Sequence, residues 1–185
     1  HTTDGTGYML SVADAGCDII GKKMTLLGAG GAATAICIQA ALDGVSAIDM
    51  FKRVNDTFDS TAAFCERVAR ETGCCIRLYD INDPRQLEKS ISESALLTNA
   101  TNVGMAPDTG HSILKDSSML HPGIVVSDII YNPRETLLMK QAREAGCSCF
   151  NGMYMLLFQG AASFRCWTGQ DMPVDIIRKK YFSET

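Results

Sequence analysis

Apolar positions along the chain alternate between two patterns. Short unbroken runs such as Met24-Thr25-Leu26-Leu27 and Ala95-Leu96-Leu97 read as strands buried on both faces. Longer stretches with apolar residues three and four apart read as amphipathic helices. The pattern predicts a helix over 7–15, then strand 24–28, helix 31–43, strand 47–51, helix 57–72, strand 75–79 and helix 84–93. It continues with strand 95–99, a long loop, strand 124–129, helix 134–145, strand 147–150 and closing helices over 152–167 and 173–181. Strands separated by helical crossovers imply an α/β fold, a doubly wound parallel sheet with helices on both faces and further helices at the C-terminus.

Punctuation supports these boundaries. Gly44, Gly73 and Gly146 stand just after helical stretches, while Asp83-Pro84 and Asn151-Gly152 open others. The segment from Asn99 to Lys115 carries Gly104, Pro107, Asp108 and Gly110, which prevent a regular element. Loops of that length are often functional, and those at the carboxyl ends of strands line the ligand crevice of an open α/β sheet.

The first strand runs into Gly28-Ala29-Gly30-Gly31-Ala32-Ala33, followed by an alanine-rich helix. This is the build of a Rossmann-like dinucleotide site. Gly28 permits a tight turn, Gly30 removes a side chain where backbone approaches phosphate, and small Ala33 lets helix and strand pack closely. N–H groups at the helix N-terminus, helped by its macrodipole, then face a diphosphate. Glycines also serve ordinary strand-to-helix turns, but the strand before and the helix after are the context the fingerprint requires.

Discrimination between NAD and NADP is expected after the second strand, where a ribose-binding carboxylate stands about 20 residues beyond the glycines. The chain reads Phe51-Lys52-Arg53-Val54-Asn55-Asp56 there. Asp49 falls inside the strand and reads as structural. Lys52 and Arg53 suit a 2′-phosphate through charge-assisted hydrogen bonds, which leans toward NADP, or else form a solvated basic turn. Asp56 is a candidate cap for the next helix.

At 46% hydrophobic and 21% charged residues, the composition is that of an ordinary globular protein. A formal charge of −4 gives no general attraction to nucleic acid or to anionic membranes, so neither is expected as a partner. No apolar run approaches the roughly 20 residues that span a bilayer, and no signal-peptide pattern opens the chain, which reads as cytoplasmic. The eight cysteines fall in helical and strand patterns without a Cys-x-x-Cys pair, and the three histidines are scattered. Reduced core thiols, rather than disulfides or a metal site, are expected.

Four further segments accompany the glycine turn. Thr3-Asp4-Gly5-Thr6-Gly7 opens the chain, Asn99-Ala100-Thr101-Asn102-Val103-Gly104-Met105 follows the fourth strand, and Asp128-Ile129-Ile130-Tyr131-Asn132-Pro133 follows the fifth. Gly152-Met153-Tyr154-Met155-Leu156-Leu157-Phe158-Gln159-Gly160 starts a late helix. In this order they resemble the shikimate dehydrogenase family, and within it the quinate/shikimate dehydrogenase branch, over nearly the whole chain. The resemblance implies reversible NAD(P)-dependent oxidation of a ring hydroxyl, shikimate with 3-dehydroshikimate and, in the broader branch, quinate with 3-dehydroquinate.

By the same resemblance, Asp4 binds substrate hydroxyls and pairs with a catalytic lysine, and Gln159 binds substrate. Gly28, Ala29, Gly30, Gly31 and Ala32 form the pyrophosphate loop, and Lys52, Arg53 and Asn55 the adenosine-ribose segment. Asn102, Ile129, Tyr131, Asn132 and Gly152 lie on the nicotinamide side. Read without it, Asp4 caps a helix or frays, Gln159 is a solvated helix residue, and Tyr131-Asn132-Pro133 is a turn with Pro133 opening the next helix. Met153, Met155, Leu156 and Leu157 read first as core.

Departures from the family pattern are Thr2 in place of asparagine before Thr-Asp, and Asn55 where the branch often has a ribose-binding aspartate. A neutral amide does not repel a 2′-phosphate, so both NADP and NAD remain open, with a lean to NADP. The family's N-terminal catalytic domain, which holds the lysine general acid/base, has no counterpart before His1, and Lys22, Lys23 and Lys115 lie in no matching motif. The chain is therefore expected to divide into a dinucleotide-binding domain over 1–152, with 1–7 at the inter-domain crossing, and helices over 153–185 that pack on that catalytic domain. It is expected to bind cofactor, to be inactive alone, and to be compatible with a homodimer. The other readings left open are a noncatalytic shikimate- or quinate-sensing domain of a regulator and another Rossmann enzyme such as a methylenetetrahydrofolate dehydrogenase.

Overall fold

The structure is a computed structural model and describes residues 2–182. In chain order its elements are α1 (Asp4–Asp14), β1 (Lys23–Leu27), α2 (Gly31–Leu42), β2 (Ala47–Lys52), α3 (Phe58–Thr72), β3 (Cys75–Asp80), α4 (Pro84–Glu93) and β4 (Leu96–Asn99). A 3-10 turn (Ser117–Met119), β5 (Val125–Asp128), α5 (Leu137–Glu144), β6 (Ser148–Phe150), α6 (Met153–Thr168) and α7 (Val174–Ile177) follow, and a π turn (Arg178–Phe182) continues α7.

All strand pairs are parallel, in the order β3-β2-β1-β4-β5-β6. The chain therefore winds outward from β1 to one edge and then from β4 to the other, the Rossmann-like arrangement. A crevice opens where the direction reverses, between the carboxyl ends of β1 and β4. Central strands carry continuous apolar side chains because helices cover both faces. One core joins Met24, Leu26, Ile36, Ile48 and Met50 with Tyr8 and Val12 of α1, and a second joins Leu27, Phe51, Leu97 and Val126 with Leu87, Ile91 and Leu138.

Strand and helix positions match the sequence reading, with instructive exceptions. α1 begins at Asp4, not Gly7, because it is held from both sides. A Cβ on Gly5 would lie 2.4 Å from the Ala35 carbonyl oxygen of α2, and one on Gly7 would lie 2.5 Å from the Gln159 backbone nitrogen of α6. Only hydrogen side chains allow α1 so near both helices. α5 begins at Leu137 behind Thr136, whose Oγ1 accepts from Met139 N–H, so Pro133 does not open the helix. Asp56 does not cap α3, which starts at Phe58 behind Thr57 with no side-chain cap. Asp83 does cap α4, accepting from the N–H groups of Arg85 and Gln86, with Pro84 as first residue.

The eight cysteines are free thiols. Cys37, Cys65, Cys74 and Cys147 are buried, and burial pushes the Cys65 and Cys74 thiols up to about 11. Cys75 and Cys166 correct the expectation of a core position: both are exposed, Cys75 because β3 is an edge strand with one face open.

Gly152 is the tightest glycine, since a Cβ there would sit 1.8 Å from the Ile129 carbonyl oxygen. Gly160, inside α6, has nothing within 4 Å of such a Cβ. Two substitutions of the same kind should therefore act in opposite directions. Gly152→Ala is expected to lower stability by about 2–4 kcal/mol, and Gly160→Ala to raise it by about 0.5–1 kcal/mol, read from urea midpoints. Equal midpoints would contradict this packing.

Candidate functional site

The glycine turn shapes the crevice. Gly28 adopts φ +113°, a region open mainly to glycine, and a Cβ on it would lie 2.8 Å from the Ala100 carbonyl oxygen. Its N–H donates to the Phe51 carbonyl at 2.8 Å, and Ala100 N–H donates to the Leu27 carbonyl at 2.8 Å. The ends of β1, β2 and β4 are thus tied together at one point.

Gly30 is the N-cap of α2 and supplies no side-chain acceptor. The first N–H groups of α2 consequently have no helical partner and remain available to an anion. A Cβ on Gly30 or Gly31 would meet nothing within 4 Å, so open space stands above this turn. Ala33, fully buried, packs the helix close to the sheet as its small size suggests.

A cavity of about 1070 Å³ extends from this turn across the ends of β2, β3 and β4. That volume is at the upper end of the ordinary range for small-molecule sites. Of the predicted residues, Gly28, Ala29, Gly30, Lys52, Arg53, Asn55 and Asn102 line it. Gly31 and Ala32 open α2 beside it without lining it.

The cationic corner divides into two parts. Lys52 Nζ donates to Asn55 Oδ1 at 2.8 Å and to Thr57 Oγ1 at 2.7 Å, and lies 5.8 Å from the Phe58 ring centroid. The Asn55 oxygen also accepts from Thr57 N–H and Oγ1, so it organises the turn. Arg53 is exposed, borders the cavity, and makes no hydrogen bond or ion pair among the described residues. Its fork is free for an anion. Asp49, by contrast, is buried and 2.6 Å from Lys23 Nζ, which also reaches Glu93 Oε2 at 2.7 Å. Burial alone pushes the Lys23 pKa down, but the two carboxylates outweigh it and the net shift is upward. Asp49 is structural, as its place inside the strand suggests.

The far wall is made by Ile81, Leu87, Ser112, Ile113, Lys115 and Met119 among others; Ser112, Ile113 and Lys115 belong to the loop that the sequence expects at the crevice, whereas Ile81, Leu87 and Met119 were missed. The segment from Ser112 to Met119 belongs to the long loop, whose lack of periodicity hides an apolar shelf that continues into the second core.

The other predicted residues occupy two separate places. Ile129, Tyr131 and Asn132 follow β5, with Tyr131 50% exposed, and Gly152 donates its N–H to the Ile130 carbonyl at the start of α6. None of these lines the cavity. Asp4 opens α1 and Gln159 lies in α6, two helices that pack together. α1 and α6 run antiparallel, with Gly7 against Gln159 and Thr3 against Ser163, whose hydroxyls are 2.8 Å apart. Thr3 Oγ1 also donates to Gln159 Oε1 at 3.5 Å, so the first and last motifs of the sequence are neighbours. The Gln159 amide donates to the Leu156 carbonyl, and the half-buried Asp4 carboxylate makes no hydrogen bond or ion pair among the described residues.

A parallel 3-2-1-4-5-6 sheet with a glycine turn facing a large cavity at its switch point defines a Rossmann-like domain of dinucleotide-binding type. Residues 152–180 match the family model described as the Shikimate 5'-dehydrogenase C-terminal domain. Over 182 residues the chain is 51% identical to a shikimate dehydrogenase (NADP(+)) of Listeria monocytogenes, covering 98% of this chain and 62% of the relative. It is 42% identical to a quinate/shikimate dehydrogenase of Escherichia coli, covering 97% of this chain and 62% of that protein. A crystal structure of shikimate 5-dehydrogenase from Listeria monocytogenes in complex with shikimate and NAD superposes with a TM-score of 0.92 at 51% identity, covering 97% of this chain and 62% of the other. Over nearly its whole length the chain is similar to shikimate and quinate/shikimate dehydrogenases, and it spans 62% of the length of the relatives it matches.

Proposed function

We propose that this chain is the nucleotide-binding part of an NAD(P)-dependent oxidoreductase that interconverts shikimate and 3-dehydroshikimate, and that extends to quinate and 3-dehydroquinate. The observation that carries the reading is the β1–β4 crevice itself. An uncapped helix N-terminus, open space above Gly30 and Gly31, and an unpaired Arg53 border one cavity of dinucleotide size.

In this reading Ala29, Gly30, Gly31 and Ala32 hold the pyrophosphate through backbone N–H groups. Arg53 takes a 2′-phosphate with Lys52 behind it, and Asn55 shapes the turn on which both stand. Asn102, Ile129, Tyr131, Asn132 and Gly152 form the nicotinamide side. When bound, the nicotinamide supplies the hydride acceptor or donor; the residues of this chain orient it and exclude water. Asp4 and Gln159 hold the ring hydroxyls, a role supported by the packing of α1, which Asp4 opens, against α6, which carries Gln159. The relatives named above carry NADP in a name and NAD in a crystal structure, and the free Arg53 favours NADP here.

Residues 153–185 are assigned to packing against the substrate-holding part of the whole enzyme. Of the sixteen residues of α6 only Met155 and Leu157 are buried, and Trp167 is 83% exposed, so this apolar helix leaves much of its surface uncovered. No lysine of the chain matches the family's general acid/base, which the resemblance assigns to a separate catalytic domain. A cytoplasmic location is part of this proposal; separately, no described helix is long and apolar enough to cross a membrane.

Calorimetric titration tests the nucleotide reading. The chain is expected to bind NADP at least about tenfold more tightly than NAD, a preference of about 1.4 kcal/mol. Arg53→Gln should erase that preference while changing NAD affinity less than twofold. Binding of neither nucleotide would defeat the reading, and equal affinities unchanged by Arg53→Gln would defeat the role of Arg53. Incubated with shikimate and NADP, the 185-residue chain is expected to show no reduction at 340 nm; turnover on the order of 1 s⁻¹ or faster, ordinary for an enzyme, would contradict the assignment of the acid/base to residues beyond these.

A further inference from the structure

Beneath the second half of the crevice lies a polar group that apolar packing does not explain. Asn99, Asp128 and Thr136 are each fully buried, at the ends of β4 and β5 and at the cap of α5. Asp128 Oδ1 accepts from Asn99 Nδ2 at 3.1 Å and from Ile130 N–H at 3.1 Å, and Oδ2 accepts from Thr136 Oγ1 at 2.8 Å. Asn99 in turn accepts from Thr101 N–H at 3.0 Å and Thr101 Oγ1 at 2.7 Å, and its amide also reaches the Val103 carbonyl at 3.4 Å.

Three donors therefore converge on one buried carboxylate, with no cation among its partners in the described residues. Burial pushes the Asp128 carboxyl up, and the donations from Ile130, Thr136 and Asn99 work against that rise. Such a group is costly unless every member is satisfied, and here each is. A pair of apolar residues would fill the same space at lower cost. What the polar set provides is geometry. It links loop 100–103, which lines the cavity opposite Gly28, to loop 129–132 after β5 and to the first turn of α5.

We propose that Asn99, Asp128 and Thr136 are positioning residues that fix the separation of the loops after β4 and β5, and thereby seat the second mononucleotide half of a dinucleotide while leaving its adenosine half unaffected. The inference rests on the dinucleotide reading. Its logic is topological: in a doubly wound sheet the two nucleotide halves lie on opposite sides of the β1–β4 switch, and the side-chain hydrogen bonds of this network join only β4, β5, the loops that follow them and the start of α5. The adenosine side is held independently, by Lys52, Asn55 and Thr57 and by the Phe51–Gly28 hydrogen bond.

The test compares NADP with 2′,5′-ADP, which fills only the adenosine half, by calorimetry on the 185-residue chain. Asn99→Ala, which cuts the link between both loops, is expected to weaken NADP at least tenfold and 2′,5′-ADP less than twofold. Thr136→Val, near-isosteric and removing one donor to Asp128 together with the side-chain cap of α5, should show the same selective pattern at several-fold. It decides the matter if Asn99→Ala does not fold. Equal weakening of both ligands would mean that the network only supports the fold, and unchanged NADP affinity would mean that the loops need no strut. Either overturns the proposal while leaving the dinucleotide reading intact. Failure of the unsubstituted chain to bind 2′,5′-ADP and NADP would instead remove that reading, and this inference with it.

Discussion

The close approach of Gly28 to Ala100 is the constraint on which the rest of the site depends. β1 and β4 are adjacent and parallel, and their chains must leave in opposite directions, one into α2 and the other into the long loop. They separate within a single residue because Gly28 takes a left-handed φ with no side chain to meet the Ala100 carbonyl. Any Cβ would push the two exits apart by several tenths of an ångström and move the start of α2 with them. The free N–H groups of that helix point where they do because this turn is tight.

A second set of glycines does comparable work away from the crevice. Gly5 and Gly7 bring α1 against α2 and α6, and Gly152 brings the start of α6 against the end of β5. The C-terminal segment is tied back to the same bundle, since Arg178 donates to both carboxylate oxygens of Asp14 at 2.7 and 3.0 Å and stacks 4.3 Å over the Tyr154 ring. The helices that frame Asp4 and Gln159 are thus fixed by close backbone contact and an arginine clasp, together with Tyr8, Val12 and Met155 in the first core. That leaves the remaining apolar surface of α6 outside the core of the described chain.

The sheet was legible in the sequence because its strands are continuous apolar runs flanked by glycine or Asp-Pro signals, and local chemistry decides both. The glycine turn, Lys52 and Arg53 were legible because a βα unit fixes their spacing along the chain, Asn55 and Asn102 through the family resemblance, and Gly28, Ala29, Gly30, Lys52, Arg53, Asn55 and Asn102 do share one cavity. The first turn of α1 was not, since Asp4-Gly5-Thr6 has no helical periodicity and becomes helical through its contacts with Ala35 and Gln159. Thr136 as a cap was hidden behind Pro133 for a related reason: the buried carboxylate of Asp128, eight residues earlier, fixes its hydroxyl. The long loop was legible as a wall of the crevice, but its apolar shelf from Ser112 to Met119 was not, because a loop's contacts are set by what it packs against.

The central claim is that the β1–β4 crevice is a dinucleotide site organised by the turn at Gly28. Backbone amide shifts measured by NMR as NADP is added to the labelled chain test it residue by residue. The account predicts that the largest changes fall on Ala29, Gly30, Gly31 and Ala32, with a second group at Arg53 and Asn55. Largest changes instead in the groove between α1 and α2, around Met9, Leu10, Cys17 and Ile20, would contradict it.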